Sequence, residues 1–365
     1  MSIPISKYTS YGNNFVLIDE TQGRILDETE TSGFAHEVTD INFGVGADNF
    51  LAVQRCTHQT LETINGHRSY WTESPDPDCA DFIFRMFESD GTEAFSCGNG
   101  LMSIAKYLFQ TYQIRQARIL TEIPTRTPTV VAIGTESDGH ASWARMPDPR
   151  RVPDDMAVQL PRTPINDRVD GISRIELNEI RRSDSIRFFS NATAVALSGA
   201  LVFTGEPHLV VFADDGFNIE GIANQIFFSP TNKEQPATGV EKRAGSSIAF
   251  IDFIGKYFVR EFSNLFPVGI NINFVRVLPD RQTIEHRCFE RGINHETLSC
   301  GTGALASAYI AKVSGRVGGD KIIVRPHRCR WHLPDAELVI EHADNAWSIK
   351  GVPYRLFNGM FDWHR

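Results

Sequence analysis

Ser96-Cys97-Gly98-Asn99-Gly100 and Ser299-Cys300-Gly301-Thr302-Gly303 decide how this chain is read. Each follows a strand-like run and opens an apolar helical run, so each sets a cysteine where a helix begins. Backbone N–H groups at a helix start attract anions and lower the pKa of a thiol. In both halves the order is apolar strand, turn with an acidic residue, Cys-Gly-x-Gly, helix. This weak internal repeat of long period predicts two similar α/β units with a cleft between them.

Outward from the first copy, Asp81-Phe82-Ile83-Phe84-Arg85-Met86-Phe87 reads as a strand and Ser89-Asp90-Gly91 as a turn. Gly100 to Thr111 reads as a helix with Leu101, Ile104, Ala105 and Leu108 on one face. Earlier strands are expected at Tyr8 to Asp19, interrupted by the turn Gly12-Asn13-Asn14, and at Phe50-Leu51-Ala52-Val53. Residues 56–80 are polar, lack periodicity and contain Ser74-Pro75-Asp76-Pro77-Asp78, which predicts a loop insertion. Strand signals return at Ala117–Thr121 and Thr129–Gly134, with Pro124 to Pro128 expected to cross between the halves. Leu209 to Ala213 reads as a strand, Ile248 to Ile254 as a further candidate strand, and Glu285 to Glu290 as the strand leading to the second motif. Gly303 to Val313 is then a helix whose Ala304, Ser307, Ala308 and Ala311 let other backbone come close. The Pro-, Asp- and Arg-rich stretch from about Pro147 to Arg187 takes no clear assignment.

With 365 residues, 41% of them hydrophobic and 25 of them Phe, the chain has material for two cores. A formal net charge of −9 and no long run of Lys or Arg argue against nucleic acid or an anionic membrane surface as partner. The start, Met1-Ser2-Ile3-Pro4-Ile5-Ser6-Lys7-Tyr8, has no apolar signal region, and a soluble cytoplasmic protein is expected. None of the six cysteines forms a C-x-x-C pair, so neither a zinc ribbon nor a thioredoxin-like motif is indicated, and no metal is expected. Cys56, Cys79, Cys288 and Cys329 read as ordinary thiols; only Cys97 and Cys300 have a special context.

Removing the α-proton of an amino acid is difficult because the carbanion is poorly stabilised, and enzymes usually spread that charge into a pyridoxal cofactor. No cofactor fingerprint is evident here, neither Gly-x-Gly-x-x-Gly after a strand nor a Walker loop. N–H groups of Gly98, Asn99, Gly301 and Thr302 could instead surround the substrate carboxylate, the glycines letting backbone approach closely. One thiolate would take the proton while the opposite thiol donates one, with pKa values tuned by the helix starts. A lone Cys-Gly-x-Gly is ordinarily a helix-entry turn with a buried thiol; two copies in matched contexts point to chemistry.

Longer segments carry a resemblance. They are Tyr11-Gly12-Asn13-Asn14-Phe15-Val16-Leu17-Ile18-Asp19, Phe43-Gly44-Val45-Gly46-Ala47-Asp48 and Ser89-Asp90-Gly91-Thr92-Glu93-Ala94, the last leading into Cys97. Gly205-Glu206-Pro207-His208, Phe266 to Phe274, Glu290-Arg291-Gly292, Glu296 to Gly303 and the tail from Lys350 to Gly359 follow in order. Together they resemble diaminopimelate epimerase, a family of cofactor-independent, two-cysteine amino-acid epimerases. The resemblance implies an α/β (α+β) fold of two pseudo-symmetric domains, each a strongly curved, mostly antiparallel sheet wrapped around a central helix. The expected domains are residues 1–125 with about 352–365, carrying Cys97, and residues 126–351, carrying Cys300. It further implies a homodimer, an amino-acid substrate, no cofactor, and Cys97 and Cys300 as the paired bases. Gly98, Asn99, Glu290, Gly301 and Thr302 would grip the α-carboxylate and α-amino group, with His208 nearby either in the site or in packing. Asn13, Asn49, Asn271 and Arg291 would contact the rest of the substrate, Arg291 as partner of a distal carboxylate.

Departures from the family pattern bear on the substrate. Glu88 stands where the family has asparagine before Ala-Asp-Gly, and Glu206 where it has asparagine in Gly-Asn-Pro-His. Asn294-His295 replaces a single glycine, and further insertions fall around residues 56–80, 160–200 and 225–260. Carboxylates at those positions would repel a distal carboxylate and attract a cation, which suggests a substrate with a cationic or imidazole side chain. The alternative is that Glu88 pairs with Arg291 or faces solvent and diaminopimelate is the substrate. A proline racemase-like reading has less support, because a proline pocket has no evident need for Arg291. A non-catalytic amino-acid sensor has no need of two thiols. Facing thiols would also oxidise to a disulfide and stop catalysis.

Overall fold

Local backbone chemistry sets the start of the chain. In the computed structural model, which describes residues 1–158, 163–177, 195–230 and 237–364, β1 (Ser2–Ser10) and β2 (Asn13–Glu20) form a hairpin. Their link, Tyr11 and Gly12, has positive φ at both positions, 55° and 86°. The register pairs Ser10 with Asn13 and Ser6 with Leu17. A turn with two positive φ values matches the right-handed twist of the strands it joins.

The chain divides into two compact units, residues 1–147 with 342–365 and residues 148–341. In the first, β3 (Asn49–Arg55), β4 (Phe82–Glu88), β5 (Glu93–Ala94), β6 (Gln116–Thr121), β7 (Thr129–Thr135) and β8 (Ser142–Met146) follow the hairpin. The chain's last strands, β18 (Ala346–Gly351) and β19 (Tyr354–Asp362), return to it. Neighbours run β19, β1, β2, β3, β4, β6, β7, β8, β18, with β2–β3 and β4–β6 parallel and the other pairs antiparallel. The two edge strands are consecutive and joined only by Val352 and Pro353, so the sheet curls until its edges lie close together. Inside the curl lies α3 (Gly98–Tyr112), which touches β1, β7, β8, β18 and β19 and is buried along most of its length. Outside it, α1 (Thr31–Thr39) packs Phe34, Ala35 and Val38 on Phe50, Phe87 and Trp363.

The second unit repeats this plan. Its strands are β9 (Thr163–Asn166), β10 (Val169–Leu177), β11 (Val195–Phe203), β12 (Pro207–Phe212), β13 (Asn271–Val277), β14 (Thr283–Glu290), β15 (His295–Thr297), β16 (Lys321–Pro326) and β17 (Leu338–Ala343). From β11 to β17 the pairings alternate antiparallel, parallel, antiparallel, parallel, antiparallel, as they do from β1 to β7. Here α6 (Gly301–Val313) is the central helix, against β11, β12, β13, β14 and β16. Its Ala- and Gly-rich sequence is buried from Gly301 to Ala311. The fold is thus a mixed α/β one of two repeats.

Several sequence expectations need correction. Residues 58–68 are α2 (His58–Arg68), capped by Thr57 Oγ1, which accepts from the Thr60 N–H at 3.2 Å. Leu61 and Ile64 bury against Trp71 and Leu120, an apolar pair too sparse to stand out among polar neighbours. Ile248 to Ile254 is not a strand but part of α5 (Ala237–Glu261), which follows the short α4 (Ile222–Ile226). Phe250, Ile251, Ile254 and Phe258 are buried at helical spacing. Pro124 to Pro128 does not cross between halves, because it joins β6 to β7 within one sheet. The boundary expected at residue 125 therefore moves to 147, and residues 342–351 join the first unit because β18 pairs with β8. Of the expected insertions, residues 159–162, 178–194 and 231–236 lie outside the described residues.

Each unit buries an arginine at the same place. Arg85 of β4 is clamped by Glu93 of β5 through two bonds of 2.6 Å, and by Glu28 through two of 2.7 Å. Arg287 of β14 bonds Glu296 of β15 at 2.5 and 2.6 Å, and also donates to the Ile226 carbonyl. Burial alone would raise the Glu28 carboxyl, but Arg85 and Arg68 hold it down at about 2. Removing one partner of a buried pair strands a charge, at about 3–5 kcal/mol. Glu296 also lies 3.3 Å from Arg328. Glu296→Ala strands two cations and is expected to exceed Arg287→Ala, which leaves Glu296 one partner. Urea denaturation should rank them so, with the first near the top of that range; equal or negligible losses would contradict the assigned pairing.

Candidate functional site

Both motif cysteines are helix N-caps. Cys97 (φ −150°, ψ 116°) and Cys300 (φ −119°, ψ 118°) have extended backbone, and each sulfur accepts the N–H three residues on, from Gly100 and Gly303, at 3.4 Å. Sulfur thus takes the place that Ser or Asp oxygen usually fills at a helix start. The second glycine of each motif is fixed by space. A Cβ on Gly100 would lie 3.0 Å from the Phe84 ring, and one on Gly303 only 2.4 Å from Asn273 Oδ1.

Around Cys97 the first unit gathers Asn13, Asn49 and Glu88. The Cys97 thiol donates to Asn13 Oδ1 at 3.7 Å. The Asn13 amide nitrogen donates to Asp48 Oδ2 at 3.2 Å and Asn49 Oδ1 at 3.5 Å. Because an ionised carboxylate only accepts, Asp48 fixes which end of Asn13 meets the sulfur. Asp48 also takes the Asn14 N–H at 2.6 Å. Asn49 donates to Glu88 Oε2 at 2.8 Å. The Asn99 side chain points elsewhere, into the core, accepting from Ser10 Oγ at 3.4 Å.

Around Cys300 the second unit sets a chain of polar groups. His286 Nε2 lies 2.9 Å from Asn273 Oδ1, Asn273 Nδ2 lies 3.0 Å from His208 Nδ1, and His208 Nε2 lies 3.1 Å from Thr302 Oγ1. Asn273 also donates to the Leu209 carbonyl, so its nitrogen end faces His208 and makes Nδ1 the acceptor. His208 Nε2–H then donates to Thr302, which leaves the Thr302 hydroxyl to donate to the Cys300 sulfur at 3.5 Å. Burial, with His286 and Arg291 nearby, lowers the His208 pKa to about 3, and burial does the same for His286, so both rings are neutral. The Cys300 thiol lies below its ordinary value, because donors from Cys288, Thr302 and Gly303 outweigh burial. Glu290 accepts from Thr297 Oγ1 and has a carboxylate oxygen within 4.8 Å of the Cys300 sulfur. Arg291 donates its N–H to Asn271 Oδ1 at 2.9 Å, and its guanidinium pairs with Glu206 while also donating to the Val268 carbonyl at 3.0 Å.

A family model described as diaminopimelate epimerase matches residues 5–136. A diaminopimelate epimerase of Archaeoglobus fulgidus is 28% identical over 363 residues, covering 99% of this chain and 96% of its own. One from Bacillus cereus is 28% identical over 346 residues, covering 95% and 90%. Among solved structures, a probable proline racemase from Agrobacterium radiobacter has a TM-score of 0.59 at 11% identity, covering 99% of this chain and 93% of its own. A hydroxyproline epimerase from Agrobacterium vitis has a TM-score of 0.58 at 11% identity, covering 98% and 92%. The chain is thus similar to diaminopimelate epimerases along nearly its whole length.

It is an isomerase of the epimerase and racemase type. Asn13, Asn49, Glu88 and Cys97 share one cluster in the first unit, with Gly98 at the first position of α3. Glu206, His208, Asn271, Glu290, Arg291, Cys300, Gly301 and Thr302 surround the start of α6 in the second. Asn99, in the first turn of α3, turns its side-chain oxygen to Ser10. Sequence reading missed Asp48, Asn273, His286 and Cys288. Asn271 and Asn273 alternate along β13 on one face, a signal that was legible. No helix among the described residues is long and apolar enough to cross a membrane.

Two measurements check the electrostatics. Thr302→Val removes a donor that favours the thiolate, so the titration of the Cys300 thiolate, read at 240 nm against Cys300→Ala, should move upward by about one unit. His208 and His286 sit near pKa 3 when folded and near the ordinary 6.5 when unfolded. Their contribution is therefore intact above pH 6.5 and falls as pH drops toward 3, because the unfolded chain binds the extra protons. The slope is about 1.4 kcal/mol per pH unit for each histidine. His286→Gln should roughly halve the loss between pH 6.5 and 4.5.

Proposed function

We propose that this protein is a member of the diaminopimelate epimerase family and inverts the α-carbon of an amino acid by proton transfer between Cys97 and Cys300. The observation that carries the reading is the equivalent placement of the two cysteines, each capping the central helix of one repeat. The reaction requires both sulfur atoms at opposite faces of one bound α-carbon. The N–H groups of Gly98, Asn99, Gly301 and Thr302 would hold the α-carboxylate and take up charge as the α-proton leaves. Glu290 would accept from the α-ammonium group, with Asn13 and Asn271 beside it. Donors converge on Cys300, whereas the Cys97 thiol donates to Asn13. Cys300 is accordingly the resting base and Cys97 the resting acid: the Cys300 thiolate takes the α-proton, the Cys97 thiol delivers its own to the opposite face, and the charges exchange. The same reading extends to a homodimer acting on a small amino acid in the cytoplasm.

For the side chain we favour a cation or an imidazole. Glu206 already pairs with Arg291, the arginine that a distal carboxylate would need, and Glu88 adds a second carboxylate. Near-full-length likeness to proteins named diaminopimelate epimerase favours a second reading, in which a distal carboxylate displaces Glu206 from Arg291. Deuterium exchange at the α-carbon in heavy water separates them. Lysine, arginine, ornithine or histidine should exchange at least about tenfold faster than diaminopimelate. Exchange with diaminopimelate alone would establish the second reading. Cys97→Ala and Cys300→Ala should each lose about 10²- to 10⁴-fold in exchange rate while still binding the amino acid. Undiminished exchange in either variant would end the two-base proposal.

A further inference from the structure

Cys300 has a thiol neighbour within its own unit. Cys288, on β14, puts its sulfur within 4.8 Å of the Cys300 sulfur, inside the same unit. Pairing of Cys288 with Thr297 across β14 and β15 brings the strand beside the loop that leads into α6. In the first unit the residue after the buried arginine is Met86, and in the second it is Cys288, so the thiol is a feature of one repeat only. We propose that Cys288 and Cys300 form a redox dithiol, with Cys300 attacking a hydroperoxide and Cys288 resolving the product as an intramolecular disulfide.

The environment fixes the order of events. Cys300 is 5% exposed and Cys288 1%, so a small oxidant meets Cys300 first. Donors favour the thiolate on Cys300, while burial and the neighbouring sulfur push the Cys288 thiol well up. The Cys300 thiolate attacks one peroxide oxygen, the O–O bond breaks, hydroxide (or alkoxide) leaves, and the sulfur becomes a sulfenic acid. Cys288 then gives up its proton and attacks that sulfur. An S–S bond forms, the S–O bond breaks and water departs. Both electrons lost by the two thiols reduce the peroxide. The disulfide closes a short loop, shields Cys300 from irreversible oxidation, and is reopened by a thiol reductant.

The test uses the intact protein with hydrogen peroxide, alkylation of remaining thiols, and trypsin digestion without reduction. Mass spectrometry should find residues 288–291 joined to residues 292–312, in the wild type and equally in Cys97→Ala. In Cys288→Ala the linkage is absent, Cys300 proceeds to sulfinic acid, and recovery of free thiol by dithiothreitol falls at least about fivefold. Linkage of the Cys300 peptide only to residues 86–106, which carry Cys97, would overturn the proposal. So would sulfinic acid at Cys300 in the wild type at the rate seen in Cys288→Ala. If Cys288→Ala fails to fold, the Cys97→Ala arm still decides. The readout is covalent mass, so an absence of amino-acid exchange would count against the proposed function and leave this result to stand by itself.

Discussion

A buried arginine held by a glutamate from the next strand is the constraint on which each repeat depends. Glu93 and Glu296 lie on the two very short strands that precede the cysteine motifs. Strands of two and three residues have few ladder bonds of their own. Two short charge-assisted bonds to Arg85 or Arg287 fix them against β4 or β14 instead. Both motif cysteines stand four residues after their glutamate, so the ion pair sets where the central helix begins and where its capping sulfur lies. Such a pair carries a heavy desolvation cost and is weak support for stability by itself. Its function here is positional.

What surrounds each sulfur differs although the scaffold repeats. Phe15 pairs with Asn49 in the first unit where His208 pairs with Asn271 in the second. An apolar ring at the first position carries no hydrogen bond, and polarity reaches Cys97 through Asn13 instead. An imidazole at the second links Asn273 to Thr302 and so to Cys300. That chain is built from neutral groups, so it polarises the sulfur without adding a counter-ion to the interior. Gly303 is what makes room for it, since any side chain there would strike Asn273 and His286.

Much of this was legible in the sequence, and the gaps have physical causes. The strands before each motif and the two central helices follow from apolar runs and from glycine beside cysteine at helix entry. Helix α5 was read as a strand in part, because a seven-residue window with six apolar residues and Asp252 has no visible period. Its helical repeat emerges only between Ala244 and Phe258. Helix α2 rests on one capping threonine and two apolar residues, which composition conceals. The buried ion pairs were visible as single charges inside apolar runs, Phe84-Arg85-Met86 and His286-Arg287-Cys288. Charge in a strand is ordinarily assigned to the solvent face. Only the hairpin register, which puts Met86 opposite Ala94 and Cys288 opposite Thr297, shows that each arginine has a glutamate beside it.

Duplication supplies two equal sulfur atoms, but the proposed reaction needs them unequal at any instant, one charged and one protonated. Identical surroundings would leave the two thiols competing for the same proton and populate unproductive states with both ionised or both neutral. Each sulfur accepts one helix N–H, from Gly100 or Gly303, and the second repeat resolves this by adding donors from Thr302 and Cys288 to its cysteine. The first gives its cysteine an acceptor, Asn13 Oδ1, held in that orientation by Asp48. An acceptor requires the proton to stay on sulfur, whereas donors require it to leave. Reversing the roles after each turnover costs only the difference between these hydrogen bonds. The pair is thereby biased but not locked, as an isomerase working in both directions requires.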